Sequence, residues 1–198
     1  LATNNASRTP EQYATKLASF GVEVSLESIL TSALVVAAYL ADVAPSGSRV
    51  YIIGEDGLRQ ALEHRGFVVA DDGDLQEPGE TRRPGADYVV VGWDRELTWR
   101  ELTTATLLIH QGATFLGTNP DVTYPTEAGP APGNGAILAA LEAATGVEPV
   151  VTGKPEPQMY QEALRRMEAT VETTAMIGDR IDTDIAGAAS VGMTTVLT

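Results

Sequence analysis

The chain has no cysteine among its 198 residues. Disulfide bridges and thiol nucleophiles are therefore excluded. It has only two histidines, His64 and His110, too few for a histidine-rich zinc site. His64 falls within an expected helix. His110 falls at a helix end, where the helix dipole favours a cation. Neither has a partner array that suggests catalysis. Positive charge is also scarce: 13 Lys and Arg stand against 27 Asp and Glu, a net charge of −14 at pH 7. A protein that grips nucleic-acid backbone needs a basic face, so that class is set aside. No apolar run reaches the roughly 20 residues of a membrane span. No secretory leader is seen, and the cytoplasm is the expected compartment. Internal repeats, heptads and low-complexity tracts are absent too.

What is present suits a soluble globular enzyme. A hydrophobic content of 43% supports real cores. The length accommodates one large or two small domains. A first helix is expected after Thr9-Pro10, with Tyr13, Leu17 and Phe20 on its apolar face and Gly21 as its stop. A short run, Ser28 to Thr31, precedes an alanine-rich helix to Leu40, and Pro45-Ser-Gly-Ser48 reads as a break. Strands are expected at Val50–Ile53, Phe67–Ala70, Tyr88–Val91 and Thr114–Gly117. Helices are expected at Asp56–His64, Thr98–Gln111 and Gly135–Thr145. This alternation argues for an α/β fold with a mostly parallel sheet covered by helices. Leu75 to Gly85, rich in Pro, Glu and Arg, reads as a loop.

The most informative stretch is Ile177-Gly-Asp-Arg-Ile-Asp-Thr-Asp184. A short apolar strand, Thr174 to Ile177, leads into it, and a helix that stops at Gly192 follows. Asp179 and Asp184 then lie at the carboxyl end of a strand, where open α/β sheets bind ligands. Two carboxylates there suit a hard cation such as Mg²⁺. On spacing alone, a turn former and a helix N-cap account for them equally well. An EF-hand is excluded, because the loop lacks the required Gly and Glu.

Lys154 lies in Val150-Val-Thr-Gly-Lys-Pro-Glu-Pro157, between an apolar run and a helix from Gln158 to Glu168. A point charge at such a junction can hold a phosphate. By itself it is better read as an ordinary exposed lysine. The segment is not a P-loop, since neither the glycine spacing nor a Ser/Thr after Lys fits. At the start of the chain, Leu1-Ala-Thr-Asn-Asn-Ala-Ser7 brings Thr3, Asn4 and Asn5 ahead of the first helix. A hydroxyl and backbone N–H groups there form an anion site, or simply a cap and loop.

In this order, Ala2–Asn5, Gly153–Pro157 and Gly178–Met193 resemble the second, third and fourth motifs of the haloacid dehalogenase superfamily. The nearest likeness is to the branch with a large α/β cap, the NagD and p-nitrophenylphosphatase type. Tyr51–Phe67, Val89–Leu102, Phe115–Glu127 and Pro132–Gly146 resemble its cap. The resemblance implies a Rossmann-like core at 1–45 and 150–198, and an inserted cap at 46–149. The family's first motif, Asp-x-Asp-Gly, is not in this sequence. Asp71-Asp-Gly-Asp74 is close in letters only and reads as a polar turn. The sequence is therefore expected to be the middle of a larger protein.

The resemblance implies Mg²⁺-dependent hydrolysis of a small phosphorylated metabolite through an aspartyl-phosphate. The first-motif aspartate attacks phosphorus, and the one two residues on handles the leaving-group proton. Asp179 binds Mg²⁺, and Asp184 holds the loop or a metal-bound water. Lys154 neutralises the nucleophile–phosphate pair. The Thr3 hydroxyl, with the backbone or side chains of Asn4 and Asn5, binds the phosphoryl oxygens. An inactive phosphate-binding module and a phosphotransferase on the same scaffold are the alternatives. Homo-oligomer formation is compatible with all of them. Other conspicuous residues read as structural. Gly133-Asn-Gly135 lacks the third glycine and preceding strand of a dinucleotide site. Trp93 and Trp99 are expected to pack, and Asn119-Pro-Asp121 to form a turn.

Overall fold

The computed structural model describes residues 1–70 and 85–198. The turn at Asp71–Asp74 and nearly all of the Leu75–Gly85 loop lie outside the described residues. The chain opens with β1 (Ala2–Thr3), α1 (Pro10–Ala18), β2 (Leu30–Thr31) and α2 (Ser32–Val43). Thr9 caps α1 in a reciprocal box with Gln12, and Thr31 caps α2 through the Leu34 N–H. Both hydroxyls thus satisfy helix-start donors that would otherwise lack a partner.

The middle of the chain runs β3 (Arg49–Ile53), α3 (Asp56–His64), β4 (Val68–Ala70), β5 (Tyr88–Val91), α4 (Trp99–His110) and β6 (Thr114–Gly117). An antiparallel hairpin follows, β7 (Thr123–Thr126) and β8 (Gly129–Pro132), then α5 (Asn134–Thr145) and β9 (Val150–Val151). The parallel strands form one five-stranded sheet in the order β4-β3-β5-β6-β9. Their side chains alternate between two cores, as the two-residue period of a strand requires. Tyr51, Ile53, Val89, Val91 and Phe115 meet α4 and α5 on one face. Val50, Ile52, Val90 and Leu116 meet α3 on the other. Gly146, with φ of 71°, ends α5 in the left-handed conformation that glycine adopts without cost.

The chain then forms α6 (Pro157–Met167), β10 (Ala175–Gly178), a π-turn at Ile181–Ile185, α7 (Ala186–Ser190) and β11 (Thr194–Leu197). β1 pairs in parallel with β2, and β10 in parallel with β11. A third apolar cluster joins Leu30 and Val35 to Met159, Tyr160, Ala188 and Met193. Among the described residues no helix is long and apolar enough to cross a membrane.

Two arrangements differ from the expected layout. Helix α2, expected with the first core piece, lays Ala33, Val36, Ala37 and Leu40 on the five-stranded sheet while Val35 faces the third cluster. It has apolar residues on nearly every side, so it is buried between two layers. Val150–Val151 pair with Leu116–Gly117, so the ladder of the middle sheet runs past residue 149. The hairpin β7–β8 was not legible, since Pro125, Pro130 and Pro132 argue against strands. It forms because it is an isolated two-stranded ribbon with room for prolines on its edges.

Leu40 is fully buried between α2 and the sheet. Leu40→Ala should lower the unfolding free energy by about 2–5 kcal/mol, the range for core cavities. Chemical denaturation checks this, and a change below about 1 kcal/mol would show that α2 does not pack there.

Candidate active site

The carboxyl ends of strands from all three parallel sheets converge on one cleft of about 240 Å³. Asn4 follows β1, Trp93 follows β5, Asn119 and Asp121 follow β6, Lys154 follows β9, and Arg180 follows β10. Strand ends of parallel sheets leave loops free to carry side chains, which is why ligands collect there.

Lys154 is fixed at three points. Its backbone N–H donates to Asn4 Oδ1 at 2.8 Å, and its carbonyl accepts from Asn4 Nδ2 at 2.9 Å. Its Nζ donates to Asp184 Oδ1 at 2.7 Å and reaches the Ala2 carbonyl at 3.4 Å. The ion pair is largely out of water, with side-chain exposures of 12% for Lys154 and 6% for Asp184. Asp184 Oδ2 accepts the Arg180 backbone N–H at 3.2 Å. Gly178 leaves room for that carboxylate: a Cβ there would collide with Asp184 Cβ and lie 2.5 Å from Cγ. The Tyr160 hydroxyl donates to the Thr183 carbonyl at 2.6 Å and braces the same turn. Burial, then the Asp184 charge, push that hydroxyl far above its ordinary pKa, so it stays a neutral donor.

The Thr3 loop forms the opposite wall. Thr3 Oγ1 accepts the Asn5 N–H at 3.2 Å. Burial raises the pKa of Tyr13, partly offset by its hydrogen bond to Thr3. Asn5 Oδ1 accepts both the N–H and the hydroxyl of Ser7 at 2.9 Å, closing the loop on itself. The Asn4 amide is spent on Lys154 and on Asp121 Oδ2, 3.0 Å away. Its side chain therefore has no donor left for a phosphate, and only the backbone option for Asn4 survives.

Asp179 directly follows β10 and is exposed. Among the described residues its carboxylate has no hydrogen bond or ion pair, whereas both Asp184 oxygens are engaged. No group of three or more His, Asp or Glu is placed to hold a metal among the described residues. Mg²⁺ usually takes one or two protein carboxylates and fills its shell with water and phosphate oxygens. Asp179 precedes Arg180, which lines the cleft, and an unpaired carboxylate there is compatible with that habit.

Other residues of the cleft were not read from the sequence as functional. Asn119, expected to lie in a turn, donates from Nδ2 to the Asn4 carbonyl at 2.8 Å. The buried Asn134 donates to the Asn119 carbonyl at 2.7 Å. Asp121 receives Arg180 NH1 at 3.1 Å and Asn4 Nδ2. Their position just past the expected strand Thr114–Gly117 was the available signal. Trp93 lines the cleft, stacks on Tyr124 at 4.0 Å and donates to the Pro132 carbonyl at 3.0 Å. Trp99 does not pack as expected: it is the first residue of α4 and 83% exposed. A larger cleft of about 780 Å³ alongside is lined by Arg8, Glu55, Asp94 and Arg95, away from Lys154 and Asp179.

Residues 1–68 match a family model described as haloacid dehalogenase-like hydrolase, and residues 151–198 match one described as HAD-hydrolase-like. An acid sugar phosphatase of Staphylococcus aureus is 41% identical over 194 residues, 98% of this chain and 70% of that protein. The crystal structure of a double-mutant thermostable NPPase from Geobacillus stearothermophilus superposes with a TM-score of 0.90 at 40% identity, covering 99% of this chain and 74% of its own. A glycerol phosphate phosphatase from Mycobacterium tuberculosis, in complex with calcium, gives 0.87 at 36% identity, covering 99% of this chain and 55% of its own. The chain belongs to the haloacid dehalogenase superfamily, among the phosphatases of the NagD and p-nitrophenylphosphatase type.

Asn4→Ala should strand the backbone groups of Lys154 and cost about 1–3 kcal/mol, the usual penalty for unpaired polar groups. Thermal melting checks the stability. An unchanged melting temperature would show that the amide does not hold Lys154.

Proposed function

We propose that the full-length protein is a Mg²⁺-dependent phosphatase of small phosphorylated metabolites in the cytoplasm, working through an aspartyl-phosphate. The observation that supports this reading is the Lys154 ammonium, held between the Thr3 loop and Asp184 at converging strand ends. The nucleophile comes from the family's first motif, which these 198 residues do not contain. Among the described residues β1 and β10 each pair on one side only. A strand bearing that motif fits between them, next to the Lys154 ammonium.

Residues 46–149 serve as the cap and the flanking segments as the core. The Thr3 hydroxyl and the backbone N–H groups of Asn4 and Asn5 receive the transferring phosphoryl oxygens. Lys154 offsets the negative charge where nucleophile and phosphate meet, a preorganised term that needs no reorientation during reaction. Asp184 keeps the ammonium aimed and the loop closed. Asp179 would hold Mg²⁺, which supplies charge stabilisation to the phosphoryl oxygens when bound. The first aspartate takes the phosphoryl group, and the leaving oxygen gains a proton from the aspartate two residues later. Water then attacks phosphorus and passes a proton to that second aspartate, the bond from phosphorus to the first aspartate breaks, and inorganic phosphate leaves. The cap closes over the site, excludes bulk water and selects the ester.

In the full-length protein Asp179→Asn should remove most Mg²⁺-dependent turnover, because a neutral ligand loses the Coulomb attraction to the cation. Unchanged turnover in that variant would end the metal assignment. Lys154→Ala should lower kcat by on the order of 10²-fold, and Lys154→Arg should not restore it, since a forked guanidinium replaces a point charge. A raised KM with normal kcat would reduce Lys154 to ground-state binding. Residues 1–198 alone should hydrolyse no phosphate ester with Mg²⁺ present. Clear turnover by them would place the nucleophile inside this sequence.

A further inference from the structure

The π-turn Ile181–Ile185 carries Asp184, yet little apolar packing holds it. Ile181 is 65% exposed, and the only buried residues of the turn are the polar Thr183 and Asp184. Hydrogen bonds must therefore set its position. Several are internal. The Arg180 carbonyl accepts the N–H groups of Asp184 at 2.9 Å and Ile185 at 3.2 Å, and the Arg180 N–H donates to Asp184 Oδ2 at 3.2 Å. These bonds close the turn into a ring but do not fix where the ring sits.

Among the described residues three side-chain bonds fasten it to other elements. The pair of Arg180 with Asp121 is one, but its guanidinium is 51% exposed, and water screens such a pair. The other two are buried, and both lead to the segment that begins at Lys154. Lys154 Nζ donates to Asp184 Oδ1 at 2.7 Å, and the Tyr160 hydroxyl donates to the Thr183 carbonyl at 2.6 Å. A lysine stem is flexible, so the ion pair alone would let the turn pivot about the ammonium. Tyr160 is stiffer. Its ring is 2% exposed and packs with Met159, Ala188 and Met193. On the phosphatase reading, we propose that Tyr160 is a positioning residue: through the Thr183 carbonyl its hydroxyl fixes the turn that carries Asp184, and so keeps the Lys154 ammonium aimed during phosphoryl transfer.

The surroundings of the hydroxyl fit that role. A Cβ on Gly187 would collide with the Tyr160 hydroxyl and lie 2.7 Å from the Pro155 carbonyl oxygen, so glycine lets α7 close onto the entry of α6 with the hydroxyl in place. The Thr183 carbonyl also shares the Ala186 N–H with the Ile181 carbonyl. Its two lone pairs admit both donors, and only Tyr160 comes from outside the turn. Burial, and then the Asp184 charge, keep the phenol protonated. It therefore braces the turn without adding a charge beside the Lys154–Asp184 pair.

Tyr160→Phe in the full-length protein keeps the ring and removes only the hydroxyl. With p-nitrophenyl phosphate and saturating Mg²⁺, kcat should fall by about tenfold, because a small misplacement of a charge at the reacting centre is costly. In an Asp184→Asn background the same change should cost less than about twofold, since the ammonium has already lost its aim. A general loosening of the fold would cost the same factor in both backgrounds. Hydrogen exchange reads the turn without turnover. In the wild type the Arg180, Asp184 and Ile185 amides should exchange as slowly as the β10–β11 ladder. Tyr160→Phe should speed them by about tenfold and leave the ladder unchanged. An unchanged kcat in Tyr160→Phe, an equal loss in both backgrounds, or turn amides that exchange freely in the wild type would overturn the inference. A wild type that hydrolyses no phosphate ester would overturn the phosphatase reading, and the catalytic part of this inference with it.

Discussion

The amide of Asn4 bonds both backbone groups of Lys154, 150 residues further along the chain. Most of the site depends on that clamp. Asn4 follows β1, and Lys154 follows β9 of the five-stranded sheet. The β1–β2 pair is therefore fastened to the five-stranded sheet by a side chain whose amide hydrogen-bonding groups are all used. Asn119 and Ser32 hold the carbonyl of Asn4 in turn, and Asn134 holds Asn119. Buried polar networks of this kind rigidify a site when every member is paired. A Cβ on Gly153 would collide with the Thr118 carbonyl and lie 2.9 Å from Asn4 Oδ1, so glycine permits the close approach.

The second constraint is the ion pair of Lys154 with Asp184. Removing one partner of a buried pair leaves an uncompensated charge, which costs more than the pair itself contributes. In a chain this acidic, a fixed ammonium at converging strand ends is what makes one spot hospitable to an anion. The same carboxylate that aims Lys154 also accepts the Arg180 N–H, and Arg180 reaches across to Asp121. The Lys154 floor of the cleft and its Asp121 end are thus joined by a single connected set of polar contacts.

Much of the fold was legible because strand and helix periods are local. The apolar runs at Tyr88–Val91 and Thr114–Gly117 became β5 and β6 at those bounds. The helices at Asp56–His64 and Gly135–Thr145 appeared with shifts of at most one residue. Of the motif residues, Thr3 and Lys154 line the cleft and Asp184 pairs with Lys154, while Asp179 follows β10. What was hidden is tertiary. The bridging role of Asn4 needs a partner 150 residues away. Asp121 and Arg180 look like a turn residue and a loop cation until the strand ends meet. The layer that α2 covers could not be told from its pattern, since an all-round apolar helix names no face. Prolines hid the β7–β8 hairpin for the same reason: strand statistics describe sheets, and this ribbon stands outside one.

The central claim is that Asn4, Lys154 and Asp184 assemble a site for a phosphoryl group beside a Mg²⁺ position at Asp179. Equilibrium binding of inorganic phosphate to the full-length protein, titrated with and without Mg²⁺, tests it most directly. The account requires binding that weakens by at least about tenfold without Mg²⁺ and is lost in Lys154→Ala. Phosphate binding that is indifferent both to Mg²⁺ and to Lys154 would contradict it.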